Sequence, residues 1–295
     1  MKKILTCLAL VLILAGVSVR QVSATETNIA FNTFSADGIL DPVNQFDWNA
    51  GSGGVYLSDG SQYVPGSTLT PGQQITFLYQ STLSAFNSSP GTGINTTGLN
   101  GAYQITIVAS LTETVQTFLT DGATVANATF TTTGGTAKIY YDTAINANVT
   151  AGTGFEDGTK ILEGSIQNGT NSSFTFFFNN STGLGATDIT AIINPTFLDT
   201  TFFLTSGTQL PFTDLHDIDF TGQLRFPNNG TGTDCFFCGG DNPFPDTAST
   251  AANDLLVDGT NQFTVPEPSS MLLFGSGLVG LSGLLRRKSK KAKKA

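Results

Sequence analysis

The densest polar group in this chain is Asp214-Leu215-His216-Asp217-Ile218-Asp219, where its only histidine stands among three carboxylates. An imidazole held by a carboxylate can serve as a general base, and a hydroxyl beside it would complete a Ser-His-Asp arrangement. No Gly-x-Ser-x-Gly elbow presents such a hydroxyl, and the acids do not follow the spacing of an EF-hand calcium loop. The same residues fit the start of a β-strand whose Asp217 and Asp219 face solvent. Cys235-Phe236-Phe237-Cys238 is a second candidate. Redox use of such a pair needs a βαβ context with a helix beginning at the first cysteine. Zinc needs two further ligands. Neither is legible, and in an oxidising compartment an i,i+3 disulfide between Cys235 and Cys238 is the expected state. Gly275-Ser276-Gly277-Leu278-Val279-Gly280 matches the dinucleotide fingerprint in form only, because no strand precedes it and no ribose-binding acid follows. No catalytic residue and no metal ligand is assigned.

The charge of the chain is sorted along its length. The formal net charge is −9, with 13 basic and 22 acidic residues in 295. Lys2, Lys3 and Arg20 lie near the N-terminus and seven bases lie beyond residue 285, which leaves Lys138, Lys160 and Arg225 between. All the acids except Glu267 fall within residues 25–265, so that stretch carries 21 acids against 3 bases, a net of −18. Nucleic acid is thereby excluded as a partner, since phosphate binding needs clustered Lys and Arg. A surface of this sign repels its own copies and attracts divalent cations weakly; no other cofactor is expected.

Both ends read as addresses. Lys2 and Lys3, the apolar run Ile4 to Val19 and the small residues Val22-Ser23-Ala24 have the order of a secretory signal peptide, 1–24. At the other end, Pro266-Glu267-Pro268 is rigid and extended, because each proline fixes its own φ and biases the residue before it away from helix. The uncharged residues 269–285 follow; as a helix rising ~1.5 Å per residue they reach roughly 25 Å, slightly short of a hydrocarbon core of ~30 Å. Arg286, Arg287 and Lys288 open a dense basic tail, 286–295, which the positive-inside rule keeps in the cytoplasm. Everything before Pro266 is then outside.

Residues 25–264 between these addresses are expected to form an all-β exported region, either one domain or two sub-domains. Thr, Phe, Ile, Val and Tyr alternate with turn formers, which favours strands over helices. Residues 25–61 read as loop-rich around Phe46-Asp47-Trp48. Strands are expected at Gln74–Leu83, Tyr103–Leu119, Thr124–Thr132, Thr136–Tyr141, Lys160–Gln167, Ser173–Asn179, Thr196–Leu204 and His216–Phe226. Asn168-Gly169 between two of them is a strong hairpin signal. Residues 230–261 read as a loop, with a last strand near Asn261–Val265. Strands at this spacing without helical periodicity predict a β-sandwich.

The order Pro266-Glu267-Pro268, apolar helix, basic tail resembles the PEP-CTERM sorting signal of exported bacterial proteins. That resemblance implies an exosortase as processing partner, a precursor held in the membrane by the helix, and removal of helix and tail. The runs Phe46 to Phe86, Tyr103 to Val115 and Ala137 to Ile166 resemble flocculation-associated PEP-CTERM proteins. This second resemblance implies an extracellular, non-enzymatic protein of the surface or matrix that works with exopolysaccharide in flocs or biofilm. Trp48, Tyr56 and Tyr63 are candidate exposed rings for stacking on sugars, or else ordinary core residues. A rival from another class is a secreted polysaccharide hydrolase, whose paired carboxylates must stand at set separations that a sequence does not show.

Overall fold

Strand follows strand in the computed structural model, which describes residues 29–31, 41–63, 67–89, 92–94, 98–120, 126–149, 151–169, 173–179, 184–205, 210–211, 216–226 and 255–264. In chain order they are β1 (Ile29–Phe31), β2 (Asp41–Val43), β3 (Gln45–Trp48), β4 (Gly51–Leu57), β5 (Gln74–Ser89), β6 (Thr92–Ile94), β7 (Gln104–Thr120) and β8 (Ala126–Asp142). Then come β9 (Thr159–Ile166), β10 (Ser173–Asn179), β11 (Leu184–Leu198), β12 (Phe203–Thr205), β13 (Leu210–Pro211), β14 (His216–Phe226) and β15 (Leu255–Thr264). The all-β expectation holds for the described residues, which contain no helix. They lie within one compact unit, Asn28–Val265.

The sandwich expectation does not hold: the main sheet closes on itself as an eight-stranded barrel. Each stave pairs antiparallel with the next in the chain, and β15 returns to pair with both β3 and β4. Two staves are built from two collinear strands. β3 and β4 share the partners β15 and β5, and β9 and β10 share the partners β8 and β11. Following the register once round, from Gln74 through Thr114, Thr131, Ser173, Thr190, Thr221, Thr260 and Asp47, returns to β5 at Ala85, eleven residues along from Gln74. Such a stagger tilts the strands against the barrel axis and lets eight of them close.

The collinear pair β9–β10 corrects the hairpin reading at Asn168-Gly169. Those strands do not pair with each other; each lies between β8 and β11. The two segments expected on either side of Gly134-Gly135 are likewise one strand, β8, with a register shift opposite Thr112 and Glu113. A Cβ on Gly135 would fall 2.2 Å from the Ser110 carbonyl oxygen at a φ of +143°, so only glycine fits there. The stretch expected to be loop-rich supplies β1 to β4. In β4, a Cβ on Gly53 would meet Val257 Cγ2 at 2.7 Å and Phe77 at 2.9 Å, which is why a glycine-rich segment can be an inner stave. The strand expected at Thr196–Leu204 is displaced: β11 ends at Leu198, and Phe202 turns back through backbone bonds to Asp199. β15 begins at Leu255, inside the expected loop.

Alternation sends apolar side chains inward. Ile75, Phe77 and Tyr79 of β5, Ile105, Ile107, Ala109 and Leu111 of β7, and Ile189, Ala191 and Ile193 of β11 all belong to one buried cluster. Among the described residues these side chains leave a cavity of about 10 Å³ between Phe77, Ile107, Ile193 and Phe220. β13, β12, β1 and β2 form a separate small sheet. It joins the core through Phe203, 6.1 Å from Phe263 between ring centroids, and through Val43. Outside the barrel, residues 143–149 and 151–158 form a strap whose Phe155 packs in a second cluster with Tyr56, Leu78, Val108 and Tyr140. The Gln104 amide donates to Asn146 Oδ1 (2.9 Å) and to the Gly154 carbonyl (3.1 Å), and Thr106 donates to the Phe155 carbonyl (2.6 Å). These bonds satisfy polar side chains that the strap covers.

Candidate functional site

The strand that leads to Pro266 is an integral stave. β15 alternates Val257, Gly259, Asn261 and Phe263 inward, with Asp258 exposed between them. Phe263 packs edge-on to Phe46 at 4.7 Å, and its N–H donates to the Asn44 carbonyl at 2.8 Å. Asn261 is fully buried and accepts the indole N–H of Trp48. Thr264, opposite His216, is the last described residue. The chain therefore passes from a buried phenylalanine to Pro266 in three residues. Pro266, Glu267 and Pro268, the helix expected at 269–285, and Arg286, Arg287 and Lys288 lie outside the described residues. So do Cys235 and Cys238, within the segment 227–254 that joins β14 to β15. The signal peptide expected at 1–24 lies outside as well. No helix among the described residues is long and apolar enough to cross a membrane.

Asp214 lies outside the described residues. His216 opens β14, and a register shift before Ile218 makes Asp217 the extra residue of a bulge. Asp219 is half-buried between Gln262 and Ile192. Among the described residues no three His, Cys, Asp or Glu side chains converge as a metal site. Burial raises the pKa of Asp47, and the charge of Asp258 on the adjacent stave raises it further.

Trp48, Tyr56 and Tyr63 are not exposed platforms. Their exposures are 1, 2 and 3 %, and the Tyr63 hydroxyl donates to the Ser67 carbonyl at 3.0 Å. The surface instead presents rows of short polar side chains. Thr221 and Thr260 hydroxyls stand 3.0 Å apart across β14 and β15, Thr117 and Thr129 are 2.6 Å apart across β7 and β8, and Asn49 donates to Thr82 at 2.8 Å. Polar residues outward and apolar ones inward is the reverse of a lipid-facing barrel, whose outer band is apolar.

One ionisable group inside the barrel was not singled out from the sequence. Glu113, between Leu111 and Val115 on β7, is 1 % exposed and accepts one bond, from the Thr132 hydroxyl at 2.7 Å. Its other oxygen has no partner. Burial lifts its pKa to about 7, opposed by the Thr132 bond. The signal was available: odd positions from Ile105 to Val115 are apolar except Glu113.

A family model of the PEP-CTERM protein-sorting motif matches residues 264–288, beginning on the last residue of β15. No curated protein and no solved structure matches the chain. The barrel thus ends in a PEP-CTERM protein-sorting motif, which marks an exported protein, membrane-anchored before processing and handled by an exosortase.

Proposed function

We propose that the chain is a non-enzymatic protein of the cell surface or extracellular matrix, which supports flocculation or biofilm by associating with exopolysaccharide. The signal peptide 1–24 starts its export, the helix 269–285 and the basic residues from Arg286 hold the precursor, and the exosortase acts at Pro266-Glu267-Pro268. The observation that carries this reading is the division, among the described residues of the barrel, between apolar side chains packed inward and short polar side chains facing outward. The cavity between Phe77, Ile107, Ile193 and Phe220, at about 10 Å³, holds no more than a water-sized molecule. Recognition then falls to the outside, where threonine hydroxyls and asparagine and glutamine amides offer both donors and acceptors to a glycan. The surplus acid makes direct aggregation of copies unfavourable as the source of adhesion.

Deletion of the gene, with floc settling and total secreted polysaccharide measured together, tests this. Settling should fail while polysaccharide synthesis continues. Unchanged settling would remove the adhesive reading. Altered polysaccharide chain length with normal retention would favour the hydrolase.

A further inference from the structure

Two irregularities of register meet on the outer face of the barrel. Between β8 and β9 the register shifts at Ile139 and Tyr140, and Ile161 and Leu162 are both fully buried there. Between β9 and β11 it shifts at Pro195 and Phe197, which makes Thr196 an extra residue. Odd positions on β11 point inward at Ile189, Ala191 and Ile193. Uninterrupted alternation would send Phe197 inward too. The bulge turns it outward, opposite Glu163, and leaves it 42 % exposed. Bulges are a means of re-aiming side chains and gather next to functional sites.

The ring is rimmed by charge. The Lys160 ammonium lies 5.2 Å over the Phe197 centroid and pairs with the Glu163 carboxylate. The Thr196 hydroxyl donates to the Glu163 carbonyl at 3.2 Å. On the adjacent stave, Lys138, the register partner of Glu163, sits 3.7 Å from Glu156, which also accepts from the Tyr140 hydroxyl at 3.3 Å. Lys138 and Lys160 are the only lysines between residues 25 and 265, and both stand in this patch.

We propose that Phe197, Lys160 and Glu163 form a subsite for one ring of a neutral polysaccharide. The proposal rests on the adhesive reading above and gives it a place. The C–H face of a pyranose carries partial positive charge and meets the negative face of an aromatic ring. Its hydroxyls both donate and accept, and so pair with an ammonium and a carboxylate at the rim. On binding, the ammonium now over the ring exchanges that position for the sugar hydroxyls. Charge selects the class of sugar: each of the two lysines is paired with a glutamate, and residues 25–265 carry 21 acids against 3 bases, so the patch has no net positive charge to hold an anionic polymer.

The test uses the mature protein purified from culture, run in native gels that contain the neutral or the anionic fraction of the cells' own secreted polysaccharide. The neutral fraction should retard the wild type. Phe197→Ala should weaken that retardation at least tenfold, Lys160→Met should weaken it less, and Phe197→Tyr should retain it. Thermal midpoints should stay close to wild type, because Phe197 is exposed. Equal retardation of Phe197→Ala and wild type would overturn the subsite and leave the adhesive reading standing. Failure of both fractions to retard the wild type would overturn both. Retardation by the anionic fraction alone would overturn the charge argument. Wild-type self-association lost in Phe197→Ala would assign the patch to a second copy instead.

Discussion

The indole N–H of Trp48 donates to Oδ1 of Asn261, 213 residues further along the chain, inside the seam where the last stave meets the first. Asn261 stands opposite Phe46 on one side and Phe220 on the other, so this bond lies where barrel closure is made. Asn261→Ala would leave a buried indole N–H unpaired. The expected loss of stability is about 1–3 kcal/mol, measured by denaturant unfolding of the purified mature protein. A loss confined to a few tenths would show that the bond contributes little to closure.

Glu113 predicts an unusual pH dependence. Its folded pKa, about 7, is above its ordinary value of 4.5. Below pH 4.5 the group is protonated whether the chain is folded or unfolded, and no penalty arises. Between 4.5 and 7 the unfolded state ionises first, so this group lowers stability as pH rises, and the full penalty persists above 7. Glu113→Gln should therefore raise stability at pH 8 on the order of 2 kcal/mol and change it little at pH 4. Parallel stability–pH curves for the two proteins would contradict the assignment.

The adjacent glycines at the β8 bulge should respond very differently. A Cβ on Gly134 meets nothing within 4 Å, whereas one on Gly135 collides with backbone at Ser110 and Leu111. Gly135→Ala is expected to cost roughly 3 kcal/mol or more, and Gly134→Ala about 1 kcal/mol. Comparable unfolding midpoints for the two variants would show that the bulge can yield.

Maturation should be visible by intact-mass measurement of the extracellular protein. The chain should begin near Thr25, lack everything beyond the Pro-Glu-Pro region, and weigh two hydrogens less than its reduced form because Cys235 and Cys238 are joined. Replacing Pro266, Glu267 and Pro268 by alanine should leave the precursor in the membrane fraction. Tail peptides reaching Ala295 in the medium would rule out processing, and two titratable thiols in unreduced protein would rule out the disulfide.

The amino-acid sequence determined the class of the molecule and its address. Composition and alternation set an all-β protein, and the limits of β10 and β14 follow directly from where Phe, Ile and Leu alternate between turn residues. The sorting motif was legible because it is contiguous: Pro266-Glu267-Pro268, the apolar run and the basic tail need no partner elsewhere in the chain to be recognised. What stood alone locally misled. Asn168-Gly169 is hairpin-like, yet the strands on either side found longer partners in β8 and β11 and became one stave. Pro195 helped to hide β11, whose bulge absorbs the irregularity. Barrel or sandwich was decided by tertiary structure alone. Both architectures present the same inward–outward alternation within each strand, and only the pairing of β15 with β3 and β4, between segments some two hundred residues apart, closes the sheet. That closure buried Trp48, whereas the bulge opposite Glu163 left Phe197 exposed. Whether a ring faces core or solvent depends on the stave that packs beside it and on a one-residue slip of register, and neither is written in the residues around it.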